Sequence, residues 1–203
     1  VINAAEYGMP QRRKRVYIMA YKIGTTMYEQ IEALSSSKED KTFDWVSNSG
    51  IMNEAVPMTF DTKPTHDVIE KELFQISENM DKYNAKNRPF GNAGVMFKRK
   101  FYTGSGKPKY KGKYITLGDI LIEESKVPNE YFILDSEKEK WHGLKKGGKQ
   151  ERTTKGGFTY FYSEGPVTYP DALDRASRTI VTGEGGRGAS RFKHVVETKS
   201  GRL

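Results

Sequence analysis

Residues 7 to 15 run Tyr-Gly-Met-Pro-Gln-Arg-Arg-Lys-Arg and lead straight into Val16-Tyr17-Ile18-Met19, an all-apolar run of strand length. No other stretch constrains the fold as much. Gly8 tolerates positive φ and Pro10 fixes φ, so the two together specify a tight turn. The apolar run behind the turn reads as a buried strand. Arg13 and Arg15 are two residues apart, and on an extended chain they point the same way. Two forked guanidiniums side by side make a clamp for a phosphate or a polar base edge. A surface turn with solvated arginines fits the same spacing, and spacing alone does not separate the two readings.

The order Tyr7-Gly8-x-Pro10-Gln11-x-Arg13-x-Arg15, followed by an apolar strand, resembles a block shared by the DNA (cytosine-5) methyltransferases. The resemblance implies catalytic roles: Arg15 at a cytosine flipped out of the duplex, with Gln11 and Arg13 holding the adjoining backbone. It implies double-stranded DNA as partner and S-adenosylmethionine as cofactor.

A second block lies near the carboxyl end, Ser177-Arg-Thr-Ile-Val-Thr-Gly-Glu-Gly-Gly-Arg-Gly188. A short β-branched stretch breaks into a glycine-rich turn, where backbone N–H groups can converge on an anion. Thr179 and Thr182 offer hydroxyls, and Arg187 offers a fork. The following Arg191-Phe-Lys-His-Val-Val-Glu197 alternates and reads as a strand, whereas a dinucleotide-binding loop would open a helix. This block is similar to the end of the target recognition domain in the same family. That likeness implies DNA contacts from Thr179, Thr182, Gly183, Glu184, Gly185, Gly186, Arg187 and Arg191. Thr179 would touch phosphate, and the loop from Thr182 to Arg187 would read bases in the major groove. Glu184 suits either acceptance of a hydrogen bond from cytosine N4 or the capping of a turn.

The formal charge of +8 at pH 7 suits a polyanionic partner, although a generically basic protein has the same balance. A length of 203 residues suits one domain or one and a half. Hydrophobic content is low, but 12 Tyr, 10 Phe and 2 Trp offer large areas to bury. No run is long and apolar enough for a membrane span, and no leader pattern is visible. The resemblance adds an expectation of a bacterial, cytoplasmic, nucleoid-associated protein.

The chain contains no Cys. The family uses a Cys thiolate to attack C6 of the cytosine ring, as the most capable common nucleophile at neutral pH. The family's Pro-Cys and Glu-Asn-Val blocks and its glycine-rich cofactor turn are absent too. With Val1 at one end and Gly201-Arg202-Leu203 at the other, the expectation is a segment, inactive alone. The remainder of the catalytic domain is then a partner and supplies the cofactor site. His66, His142 and His194 are isolated, so no metal site is expected.

Between the two blocks, helices are expected over 25–34, 65–80 and 116–124, the last behind a capping-box variant at Thr116 and Asp119. Residues 42–64 read as irregular, anchored by Trp45, Ile51, Met52 and Phe60. Residues 84–118 hold nine Lys or Arg and no acid, interleaved with Phe90, Phe97, Phe101, Tyr102, Tyr110 and Tyr114. That pattern fits a nucleic-acid groove or a solvated hairpin. Val127-Pro128 and the strand-like Tyr131-Phe-Ile-Leu134 follow, as in several family members. A second basic run over 138–155, with Gly147-Gly148 and Gly156-Gly157, fits a loop that orders on a partner or a plain surface loop.

The expected architecture is α+β, with short helices and twisted β elements after residue 130. Residues 1–21 would be a turn and strand of the catalytic domain, and 22–203 the target recognition domain. Within the latter, 22–165 is the variable region and 177–191 the recognition loop. Restriction–modification is the expected setting. The alternatives are a non-catalytic sequence-specific DNA-binding module and the small subunit of a split methyltransferase.

Overall fold

The computed structural model describes residues 1–37, 41–69, 72–80, 90–186 and 188–203. The architecture is α+β, with short helices and small antiparallel sheets, and the chain divides into two units. One comprises Val1–Tyr7 with Lys14–Gly112, the other Gly8–Arg13 with Lys113–Leu203.

In the first unit, β1 (Ile2–Asn3) pairs with β2 (Lys14–Arg15), so Ile2 lies opposite Arg15. Helix α1 (Thr26–Ser35) starts at Thr25, whose hydroxyl accepts from the Tyr28 N–H, and Ile31 is its buried residue. The expected helix over 25–34 is thus present. Residues 42–64 are more ordered than expected: α2 (Thr42–Asn48), α3 (Ile51–Ala55) and β3 (Met58–Phe60) fill them. Trp45 is a buried anchor as expected, whereas Ile51 is exposed and Phe43 takes the core position instead.

Helix is replaced by strand at the start of 65–80. Thr65–Val68 form β4, and only Leu73–Met80 are helical, as α4. The reason is tertiary. β4 pairs with β6 (Lys100–Gly104), which also pairs with β5 (Ala93–Phe97), giving a sheet of order β4-β6-β5. Ladder pairing offered by a neighbour overrides a weak helical period. Strand β7 (Gly106–Pro108) pairs with β3.

The core joins helix to sheet: Ile31, Trp45 and Phe97, packed round by Tyr21, Met27, Tyr28, Leu34 and Val46. Two of the aromatics of 84–118, Phe97 and Tyr102, are therefore buried and unavailable for stacking on bases. Phe101 packs edge-on against Phe90. Lys98 is ion-paired with Glu32 at 2.6 Å, and Lys107 with Asp61. Residues 93–104 of this basic region are thus a core hairpin, while Phe90 and Tyr114 remain exposed. Residues 84–89 lie outside the described residues.

The apolar run Val16–Met19 is not a buried strand here. It has no strand partner among the described residues, and Ile18 is 88% exposed. A single extended segment cannot bury its faces without neighbours.

In the second unit, the helix expected over 116–124 reduces to 3₁₀ turns at Gly118–Ile120 and Glu124–Lys126. The capping box forms in full: the Thr116 N–H donates to Asp119 at 2.8 Å, and the Asp119 N–H donates to the Thr116 hydroxyl at 3.2 Å. No helix grows from it, because Leu121 turns to extended backbone and Ile120 to Ile122 lie in solvent. Tyr131–Leu134 form no strand either; a 3₁₀ turn occupies Asn129–Tyr131. The basic run 138–155 is ordered structure instead of loop. Helix α5 (Lys138–Lys145) leads into a hairpin of β8 (Gly148–Thr153) and β9 (Thr159–Glu164), the β element expected after residue 130. The stretch 177–181 and residues 191–197 are not strands.

Candidate nucleic-acid interface

The two sequence blocks meet in the second unit. Pro10 O accepts from the Ser177 N–H at 2.8 Å, and Ser177 O accepts from the Arg12 N–H at 2.9 Å. These bonds make a parallel bridge between Gln11 and Ser177. The Thr179 hydroxyl closes the contact by donating to Arg12 O. Gly8, at φ +84°, turns the chain into this bridge, and its carbonyl accepts from Ile115 N–H at 3.0 Å. Residues about 165 apart in sequence are thereby held by backbone bonds, each a modest net gain of about 1 kcal/mol.

The turn leaves its cations in solvent. Arg12 and Arg13 are exposed, and among the described residues neither guanidinium has a partner. Arg15, in β2 of the first unit, is exposed, and among the described residues it donates to its neighbour's carbonyl, Lys14 O, at 2.7 Å. Unpaired exposed guanidiniums keep their full capacity for a phosphate or base edge.

The glycine-rich block is built on segment 191–195. Its sequence alternates like a strand, but side chains satisfy its backbone instead of a ladder. Asp171, buried, is gripped by Arg178 at 2.7 and 3.1 Å and accepts from the Val195 N–H at 2.9 Å. The Asp171 N–H in turn donates to Val195 O. Arg178 also donates to Phe192 O and Lys193 O, at 3.3 and 3.1 Å. Lys145, fully buried, donates to Arg191 O at 2.9 Å and to Lys193 O. Burial pulls the Lys145 ammonium below its ordinary value, and the nearby charge of Arg178 adds to this. Burial pushes the Asp171 carboxyl up, but bonds from Arg178 and Val195, with the charges of Arg178 and His194, outweigh it and hold it below the usual range.

The loop itself starts as a 3₁₀ turn at Thr182–Glu184, with Thr182, Gly183, Gly185 and Gly186 exposed. Gly186 has φ +80°, a conformation glycine adopts without cost. Glu184 points inward: its Oε2 lies 2.7 Å from His194 Nδ1 and accepts from the His194 N–H at 3.2 Å. Its Oε1 is buried and has no partner among the described residues. Lys193 Nζ donates to Gly186 O, tying the loop down. Arg191 is engaged with Glu164 at 3.1 Å and with Gly165 O. Arg187 lies outside the described residues.

Sequence reading therefore found the docked blocks and missed the frame behind them. Asp171, Arg178, Lys145 and His194 carried no signal. Lys145 looked like any member of a basic run, and Arg178 like a spacer between Ser177 and Thr179. His66 stacks on Tyr102 and His142 on Tyr169, as aromatic packing partners.

Among the described residues, this unit includes two notable cavities. One, about 120 Å³, is lined by Arg12, Thr168, Asp171, Arg175, Ser177 and Arg178. The other, about 290 Å³, lies among Lys138, Glu139, His142, Tyr169 and Leu203. Neither encloses a ligand the size of S-adenosylmethionine: the first is small and lined by three arginines, and the second is shallow and open to solvent. No helix among the described residues is long and apolar enough to cross a membrane.

Comparison with known proteins bears on the family. The family model for C-5 cytosine-specific DNA methylase matches residues 1–176. The type II methyltransferase M.Sau3AI of Staphylococcus aureus is 33% identical over 192 residues, covering 91% of this chain and 42% of that protein. The chain thus spans about two fifths of that relative's length. No solved structure matches. A family match over residues 1–176, most of the chain, makes the chain a member of the C-5 cytosine-specific DNA methylase family.

Proposed function

We propose that this chain is the DNA-recognition segment of a DNA (cytosine-5) methyltransferase acting in restriction–modification. Residues 1–21 belong to the catalytic domain and 22–203 to the target recognition domain. The observation that carries the reading is the Gln11–Ser177 bridge, which joins the arginine turn to the base of the glycine-rich loop. One unit thus carries both Gln11 to Arg13 and the glycine-rich loop.

In this reading a cytosine leaves the duplex stack, and Arg15 makes a charge-assisted contact to the flipped nucleotide. Gln11 and Arg13 hold the adjoining backbone. Thr182, Gly183, Gly185, Gly186 and Arg187 face the bases, while Thr179, Glu184 and Arg191 set the loop's shape through their internal bonds. S-adenosylmethionine supplies the methyl group, from a site in the remainder of the catalytic domain. The nucleophile likewise comes from elsewhere, since the chain has no Cys. The exposed run Val16–Met19 is the edge along which the rest of the catalytic sheet would pair.

The test is transfer of labelled methyl to unmethylated duplex DNA. A complete methyltransferase carrying this chain methylates cytosine C5, and the 203-residue chain alone gives background. Turnover by the isolated chain, or methylation at another atom, would overturn the reading.

A further inference from the structure

The hairpin β8–β9 stands apart from the packed parts of its unit. All six residues of β8 are exposed, as are Thr159, Tyr160, Phe161 and Ser163 of β9. A two-stranded hairpin with both faces in water is marginal by itself. This one is nonetheless well built. Thr154 N–H donates to Phe158 O at 2.8 Å across the tip, and Gly157 takes φ +82° to close it.

Its faces differ in chemistry. The register places Gln150 opposite Tyr162 and Arg152 opposite Tyr160 on one face, with the Arg152 guanidinium 3.8 Å above the Tyr162 ring. The other face carries Lys149 over the Phe161 ring at 4.2 Å, with Glu151 opposite Phe161. Beyond the base, three cations (Lys149, Arg152 and Lys155) stand against one carboxylate, Glu151. The second acid, Glu164, sits at the base and is neutralised by Arg191. Gly147 is required at that base, since a Cβ there would lie 2.5 Å from Glu164 O.

The anchoring matters most. Arg191 holds the hairpin base through Glu164 and Gly165, and three residues on, His194 holds the glycine-rich turn through Glu184. Both elements grow from one short segment, itself fixed by Asp171, Arg178 and Lys145.

We propose that β8–β9 is a second DNA-reading element, a ribbon that enters the major groove and sets sequence specificity together with the glycine-rich loop. This rests on the recognition reading given above. The dimensions fit: six residues per strand span about 20 Å, and a groove about 12 Å wide admits a two-stranded ribbon. The face bearing Gln150 and Arg152 is the reading face, because these two side chains match adenine and guanine bidentately. The excess of cations favours duplex DNA over an acidic-poor protein surface as the occupant.

The test offers the 203-residue chain a pool of duplexes randomised over about one helical turn, with circular dichroism as the check on folding. The parent selects a sequence. Gln150→Ala and Arg152→Ala each lose preference at one or two positions and bind the parent's sequence about tenfold more weakly. Lys149→Ala weakens all sequences alike and lowers the salt slope by about one. Lys155→Cys, labelled with a photoactivatable aryl azide as the only thiol in the chain, cross-links to the selected duplex. Unchanged discrimination by both reading-face variants, or no cross-link from the tip, overturns the ribbon assignment. If the parent retains no DNA at all, the recognition reading falls and the ribbon assignment falls with it.

Discussion

At the scale of single residues, the same side-chain types do two opposite jobs. Arg12, Arg13 and Arg15 are exposed and lack carboxylate partners among the described residues, whereas Arg178 and Arg191 are bound to Asp171 and Glu164. Sequence alone gives an arginine in a glycine-rich block no label for either job, because its acid partner lies 7 or 27 residues away in the chain. Breaking the buried pair is costly. Asp171→Asn leaves Arg178 without its counter-charge and should destabilise the chain by about 3–5 kcal/mol, read from urea unfolding. The sign with pH follows from the depressed Asp171 carboxyl. Its stabilisation is fully present above the unfolded carboxylate pKa of about 4 and is lost as pH falls through the lower folded value. The gap between parent and Asp171→Asn should therefore hold at neutral pH and close in acid; a gap that widens in acid refutes the pair. In a complete methyltransferase, Arg15→Ala should lower the methylation rate on every substrate alike. Altered site preference with an intact cognate rate would contradict its place at the flipped base.

At the scale of elements, local signals held where the chain satisfies itself and failed where a partner decides. Helix α1, with its Thr25 cap, was legible, and so was the Thr116–Asp119 capping box, although no helix followed it. Strand β4 was not, since its ladder partner β6 lies some 35 residues away. The hairpin β5–β6 shows how such pairing is enforced. Lys98 and Arg99 form its two-residue turn at φ +45° and +66°, conformations that are costly for residues with a Cβ. Glycines let the backbone approach closely elsewhere: a Cβ at Gly91 would lie 2.1 Å from Gly104 O, and one at Gly104 would lie 2.7 Å from the Phe43 ring. Gly91→Ala should therefore cost about 1–3 kcal/mol in thermal or urea unfolding. An unchanged midpoint would show that the backbones do not meet there.

At the scale of the whole molecule, the family, the α+β class and the order of two distant blocks were legible in the sequence, whereas the bridge that pairs those blocks was not. It hid the frame of charged side chains under segment 191–195, because frames of this kind carry no periodicity. The framework also alters the count of cations free for DNA. Lys145, Arg178 and Arg191 are spent internally, and Lys98 and Lys107 are ion-paired. Lys113, Lys126, Lys138 and Arg175 also have carboxylate partners. If about four to six phosphates are neutralised on binding, log affinity should fall against log salt with a slope of roughly −4 to −5. A slope near zero in a titration series would remove the electrostatic face. Attraction to phosphate alone does not make a recognition segment, since any basic protein has it. The most direct measurement is therefore selection by the isolated 203-residue chain from duplexes randomised over about one helical turn, at about 150 mM salt. The result predicted is one enriched sequence containing a C·G pair, held above the rest of the pool. Retention of all duplexes alike would contradict the claim that this chain reads DNA sequence.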